Sequence, residues 1–221
     1  ASTPVSPDVA KELREAVPEA AMFVEHPRIP FVSYCYEWPF EMLQAAALLH
    51  LRILRVSLES GFTLKDATPY NVQFIGPKPQ LIDIASFEPY VPGEPWSAYN
   101  EFCRLFLNPI LFQAVTGIGF QQWLRGSLQG IEPAHLSRLL PLRHKLRPRV
   151  FINVVLQSWL QRKFGATDSV DRAIKRPQIG LNQLLNIIGG LEKTISRSKL
   201  TGNRSQWQGY DDDNSYSAET R

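Results

Sequence analysis

The chain has 221 residues, of which 44% are hydrophobic and 20% charged, with a formal net charge of +3. This apolar fraction excludes disorder over the whole length, and the small charge gives no reason to expect a nucleic acid partner. The two cysteines cannot build a disulfide scaffold, and no run reaches the roughly 18 apolar residues of a membrane span. We therefore expect a cytoplasmic protein with a single core and no membrane partner.

The first half of the chain predicts a helix, an extended piece and a longer helix. Asp8 precedes a helical pattern at residues 9–17, and aromatic and β-branched residues at 28–36 favour an extended segment. Residues 40–59 predict a largely buried helix that ends at Gly61. Its apolar stripe comprises Leu43, Ala47, Leu51, Leu54 and Leu58.

Two short apolar runs follow, at residues 72–75 and 80–84, and they predict a β-hairpin whose loop is residues 76–79. Residues 87–95 contain several prolines and predict a loop. The remaining pattern is helical, with Gly189 and Gly190 expected to end or kink the last helix. The predicted helices are residues 96–115, 120–128, 133–140, 148–164 and 179–198.

These elements predict an α+β fold that is mostly α, with one small β-hairpin and a helical bundle. We divide the chain into an N-terminal segment (1–27), a helical domain (28–200) and a polar linker or tail (201–221).

Three polar residues surround the predicted hairpin. Asp66 and Asn71 flank the loop that enters its first strand, and Asp83 leaves its second strand. Antiparallel pairing would bring Asn71 close to Asp83, and their oxygens would suit Mg²⁺. Asp66 would then be free to orient a hydroxyl group for attack. The plainer interpretation is turn chemistry, because Asp and Asn side chains often bond nearby backbone amides in loops.

Asn71 follows Asp66 by five residues, Pro69 lies between them, and Asp83 comes further along the chain. This pattern resembles the catalytic core of the protein-kinase-like superfamily, which includes the aminoglycoside and choline kinases. The resemblance implies the C-lobe of that fold, with ATP and Mg²⁺ as cofactors. Asp66 would be the catalytic base, and Asn71 and Asp83 would hold the metal. Thr68 stands where many of these kinases place a phosphate-contacting lysine, and residues 31–36 would be the hinge that hydrogen-bonds adenine.

The sequence also departs from that pattern. Leu64-Lys65 replaces the usual His-Arg before the catalytic aspartate, and Ile84-Ala85 replaces Phe-Gly after the metal aspartate. The residues before the hinge-like segment contain no glycine, and their one lysine, Lys11, lies on the predicted helix. The N-lobe is therefore expected to be missing.

Longer strings carry a more specific resemblance. They are RIPFVSYCYEWPFEMLQAAALLHL, LKDATPYNVQF and LIDIASFEPYVPGEPWSAYNEFCRLFLNPI. They resemble the N-terminal region of a bacterial family of class I SAM-dependent methyltransferases, some of them described as nodulation-related, and the similarity runs from residue 28 to 217. It implies a fragment, or a member without its N-lobe and methyltransferase domain. SAM would bind only through that absent domain, because this chain has no G-x-G-x-x-G loop after a strand.

Three functions follow as hypotheses. The first is a kinase-like accessory domain, non-phosphorylating, that positions a small-molecule substrate or a partner for a methyltransferase domain in the same polypeptide or another chain. The alternative is an active small-molecule phosphotransferase that uses Mg-ATP. The third is a free-standing helical interaction protein, which requires the resemblance to be accidental.

Overall fold

The structure is a computed structural model that describes residues 2–140 and 178–200. Its fold is α+β and mostly α, as the sequence predicts. The helices are α1 (Pro7–Ala16), α2 (Phe40–Glu59), α3 (Tyr99–Phe102), α4 (Asn108–Thr116), α5 (Gln121–Gly126), α6 (Pro133–Leu139) and α7 (Leu181–Ser196). The strands are β1 (Thr3–Pro4), β2 (Val24–Glu25), β3 (Phe62–Leu64), β4 (Val72–Ile75), β5 (Lys78–Leu81) and β6 (Phe87–Pro89).

Helix α2 is the centre of the core, and its predicted bounds are confirmed. All five residues of the predicted apolar stripe are buried. The helix ends where predicted, because Gly61 has a φ of 81° and its N–H bonds the carbonyl of Leu58. The stripe therefore holds α2 against the strands and helices that carry the polar loops.

Helix α7 packs along α2. Arg55 of α2 forms an ion pair of 2.7 Å with Glu192 of α7, and the Gln44 side chain donates to the carbonyl of Ile195. The expectation that Gly189 and Gly190 interrupt this helix is wrong. The helix continues through both glycines because one face of it is buried, at Leu184, Ile188, Leu191 and Ile195.

The described strands form three antiparallel pairs, β1 with β2, β3 with β6 and β4 with β5. The predicted hairpin is confirmed, but the predicted loop length of four residues is wrong. Ile75 pairs with Lys78, so the turn contains only Gly76 and Pro77, and Gly76 has the positive φ that such a tight turn requires. The predicted loop after residue 86 also contains a strand, because Leu64 pairs with Phe87.

The N-terminal predictions need two corrections. Helix α1 begins at Pro7, and its cap is Ser6 rather than Asp8, since the Ser6 hydroxyl accepts from the N–H of Val9. The segment predicted as extended at residues 28–36 pairs with none of the described strands and ends at Tyr34, where a 3₁₀ helix begins at Cys35–Glu37 and the carboxylate of Glu37 accepts the N–H of Tyr34.

The helix predicted at residues 96–115 is divided. It begins at Tyr99, passes through a π-helical turn at Cys103–Leu107 and continues as α4. The π turn frees the carbonyl of Arg104, which accepts the N–H of Ile131. The helix ends at Gly117, whose φ is 73°.

The predicted helix at 120–128 is shorter, and the one at 133–140 is confirmed within one residue. The predicted helix at 148–164 and the tail at 201–221 lie outside the described residues. Within residues 2–140 and 178–200, no helix combines the length and apolar character needed to cross a bilayer.

Candidate functional site

The hairpin brings Asn71 and Asp83 together. Val72 pairs with Leu81 at the open end of the hairpin, and the N–H of Ile82 donates to the carbonyl of Asn71 at 2.9 Å. The two side chains therefore face each other, and Nδ2 of Asn71 donates to Oδ2 of Asp83 at 2.9 Å. This is the pairing that the sequence predicts.

The loop after β5 fixes the carboxylate of Asp83. Its Oδ1 accepts the N–H of Ala85 at 2.9 Å, and its main-chain carbonyl accepts the hydroxyl of Ser86 at 3.3 Å. The side chain of Asp83 is half-buried. Solvent or a ligand can therefore reach a carboxylate whose orientation the loop has already set.

Asp66 lies on a loop whose main-chain groups are held by three hydrogen bonds. The indole of Trp96 donates to the carbonyl of Leu64 at 2.7 Å, and the N–H of Lys65 donates to the carbonyl of Ser86 at 2.9 Å. On the other side of Asp66, the N–H of Ala67 donates to Oε2 of Glu101 at 2.7 Å. The backbone around Asp66 is thus fixed to Ser86, just before β6, to Trp96, and to Glu101 of α3.

The carboxylate of Asp66 is half-buried. Within the part of the chain that the structure describes, it takes part in no hydrogen bond or ion pair, so the structure brings Asn71 and Asp83 into contact but not Asp66 with either. Its role as a base stays a prediction.

Thr68 has a local structural role. Its hydroxyl oxygen accepts the N–H of Tyr70 at 3.3 Å and caps the 3₁₀ turn Pro69–Asn71. This turn presents the side chain of Asn71 to Asp83. This hydrogen bond does not test the prediction that Thr68 binds a cofactor, which stays a prediction.

The segment predicted to bind adenine is bonded within the protein. The carboxamide of Gln73 accepts the N–H of Ser33 through Oε1 and donates to its carbonyl through Nε2, both at 3.0 Å. The next N–H, of Tyr34, donates to Glu37 at 2.8 Å. Three main-chain polar groups of this segment therefore already have partners.

The donor set at the hairpin fits Mg²⁺ by its chemistry. It consists of the Asp83 carboxylate and the amide oxygen of Asn71, which would turn toward a cation held between the two side chains. Among the described residues, no three His, Cys, Asp or Glu side chains are grouped so that they could hold a metal ion. A cation here would take its other ligands from water or from a bound phosphate, as Mg²⁺ usually does.

Three contributors to the site are missed by sequence reasoning. None of the three, Trp96, Glu101 and Gln73, is among the predicted site residues. For Gln73 a signal exists, since a polar residue inside an apolar strand requires a buried partner. For Glu101 no local pattern reveals the contact, because its partner lies 34 residues away along the chain.

Cys35, at the edge of the hinge-like segment, is not a candidate nucleophile. Burial raises the pKa of its thiol to about 11. The thiol therefore stays protonated near neutral pH, in agreement with the absence of a basic neighbour in sequence.

One comparison with known proteins covers most of the chain. It is 38% identical over 209 residues to the nodulation protein NoeA of Rhizobium meliloti (strain 1021). The match takes in 91% of this chain and 43% of that protein. The chain thus spans less than half the length of the curated relative that it matches. No protein-family model and no solved structure matches it.

Proposed function

We propose that this chain is a kinase-like C-lobe that serves as a non-phosphorylating accessory domain within a longer polypeptide. It positions a substrate or partner for a SAM-dependent methyltransferase domain. The match to NoeA supports the proposal that this chain is part of a longer polypeptide, because it extends over nearly all of this chain but over less than half of the relative.

The observation that carries the proposal is the contact between Asn71 and Asp83 at the open end of the hairpin. A carboxylate and an amide oxygen in this position can hold a divalent cation, and the cation supplies positive charge for an anionic group of the substrate. Asp66, on its fixed loop, would accept a hydrogen bond from a substrate hydroxyl group.

The lack of phosphoryl transfer is supported by two features. The polar groups of Ser33 are bonded to Gln73, which leaves less of the hinge-like segment for a nucleotide base. Thr68 also stands where many kinases of the resembled superfamily place a phosphate-contacting lysine, so this position lacks that positive charge for a nucleotide phosphate.

The active phosphotransferase is the second candidate, and the anchoring of the Asp66 loop favours it. A catalytic base needs a fixed position, and the bonds from Trp96 and Glu101 provide one.

ATP turnover separates the two candidates. The purified chain is incubated with Mg-ATP and a panel of hydroxyl-bearing small molecules, beside Asp66→Asn and Asp83→Ala. The proposal expects the same background ATP turnover in all three proteins. Turnover that is present in the wild type and lost in both variants would establish the phosphotransferase instead.

A further inference from the structure

Helix α1 carries an apolar face that the described residues leave exposed. Val9, Leu13 and, directly after the helix, Val17 are spaced four residues apart, which places them on one side of it. They are 44%, 40% and 41% exposed. Of residues 2–34 none is buried, so α1 contributes nothing to the core around α2. Because a helix of ten residues is only marginally stable alone in water, the apolar face indicates a partner.

The polar residues of α1 carry both signs of charge. Asp8, Glu12 and Glu15 are acidic, Lys11 and Arg14 are basic, and all five residues are exposed. A helix that lies on a membrane surface is rich in Lys and Arg on its polar face, and α1 has no such excess. The mixture of charges instead favours a protein partner whose contact surface also carries both signs.

The charges beside the apolar face fit a second copy of the same helix. Successive residues of an α-helix are rotated by about 100°, so Glu12 and Arg14 lie on opposite sides of Leu13. If two copies pack in parallel through Leu13, about a two-fold axis along the helices, Glu12 of each copy faces Arg14 of the other. In an antiparallel pair, Glu12 would face Glu12 and Arg14 would face Arg14, and these like charges would repel.

We propose that α1 is a contact surface between two copies of this chain. The two helices pack in parallel through Val9, Leu13 and Val17, and Glu12 pairs with Arg14 across the interface on both sides. A contact between two helices this short falls below the about 1,200 Å² of a stable complex, so the dimer is weak. The inference is independent of the proposed function, because no residue of the candidate site takes part in the contact.

Sedimentation equilibrium of the purified chain, at about 5 to 300 µM protein, measures the association. We expect the wild type to pass from monomer to dimer over this range. Glu12→Lys sets basic side chains against each other, and Arg14→Glu does the same with acidic ones, so each should weaken the dimer by about tenfold or more. Glu15→Lys is the matched control, because it makes the same change on the side of the helix away from Leu13 and should keep the wild-type affinity.

Mixing the two interface variants separates charge pairing from loss of the fold. In a mixed dimer of Glu12→Lys with Arg14→Glu, every basic side chain again faces an acidic one. We expect the mixture to associate as tightly as the wild type, although each variant alone does not. A wild type that stays monomeric overturns the inference and leaves the face to another partner, such as the remainder of a longer polypeptide. Association that both variants retain, or that mixing fails to restore, overturns it as well.

Discussion

Asn71 donates a hydrogen bond of 2.9 Å to Asp83, twelve residues further along the chain. The contact closes the hairpin at its open end, because β4 begins directly after Asn71 and β5 ends two residues before Asp83. The same contact places the Asp83 carboxylate beside the carboxamide of Asn71, whose oxygen would turn toward a cation held between the two side chains. One pair of side chains therefore both stabilises the hairpin and provides the candidate cation site.

The energy of this contact can be measured with a double-mutant cycle of Asn71→Ala and Asp83→Ala. We expect a coupling energy of about 1–2 kcal/mol, since a hydrogen bond to a half-buried carboxylate is stronger than one between neutral groups. Urea unfolding of the four proteins gives the value. Asn71→Ala combined with a change at exposed Glu59 is the control and should be additive. A coupling near zero at Asp83 would show that the contact contributes nothing to stability.

Trp96→Phe should destabilise the protein by about 1–3 kcal/mol, because it leaves the carbonyl of Leu64 buried without its donor. Trp123→Phe is the matched control, since that ring is half-buried against Phe112 and His135. The free energy of unfolding from urea titration should fall more for Trp96. Equal losses for the two variants would mean that ring packing, and not the bond to Leu64, determines the effect.

Substitution by alanine should change the stability of the protein in opposite directions at two glycines that are close together in sequence. At Gly130 the φ is +75°, and a Cβ would overlap the carbonyl of Arg104, so Gly130→Ala should cost about 2 kcal/mol or more. At Gly126, in α5, a Cβ would meet open space, and Gly126→Ala should be neutral or stabilise by about 0.5–1 kcal/mol. Thermal unfolding ranks the two variants. The reverse order would show that the approach of residue 130 to the π turn is not a tight one.

His50 should make the protein sensitive to acid. Its ring lies among Trp96, Phe102 and Phe106, and burial lowers its pKa from 6.5 to about 4. As the pH falls below 6.5 the unfolded chain takes up the proton first. The stability that depends on neutral His50 is complete above pH 6.5 and is lost as the pH falls to about 4, with a total of about 3 kcal/mol.

The measurement for His50 is the free energy of unfolding between pH 7.5 and 4. The variant His50→Leu should lose less stability over this range than the wild type. His135→Leu changes an exposed histidine and should keep the acid sensitivity of the wild type. If His50→Leu and the wild type lose stability in parallel, another group is responsible.

The elements with regular patterns were predictable from the sequence. The bounds of α2 follow from its apolar stripe and from Gly61, and the approach of Asn71 to Asp83 follows from hairpin geometry alone. The turn was predicted two residues too long, because alternation of apolar residues does not fix the register of β5. Strand β6 was missed because its pairing with β3 is a long-range contact across a proline-containing segment.

The contacts that hold the site could not be predicted in the same way. Glu101 reaches the N–H of Ala67, and Gln73 reaches Ser33, only after the helices and the hairpin have packed. These bonds depend on tertiary distance, whereas sequence patterns report local periodicity. Gln73, a polar residue in a buried strand, indicates that a partner exists but not which one.

Binding of Mn²⁺, a paramagnetic substitute for Mg²⁺, tests the candidate site most directly. In spectra of the ¹⁵N-labelled chain, we expect Mn²⁺ to broaden the signals of the Asn71, Asp83 and Ala85 amides first. Asp83→Ala should lose this broadening, whereas Glu59→Ala, at an exposed position near the end of α2, should keep it. Broadening that is absent from these amides in the wild type, or unchanged in Asp83→Ala, would contradict a cation site at Asn71 and Asp83.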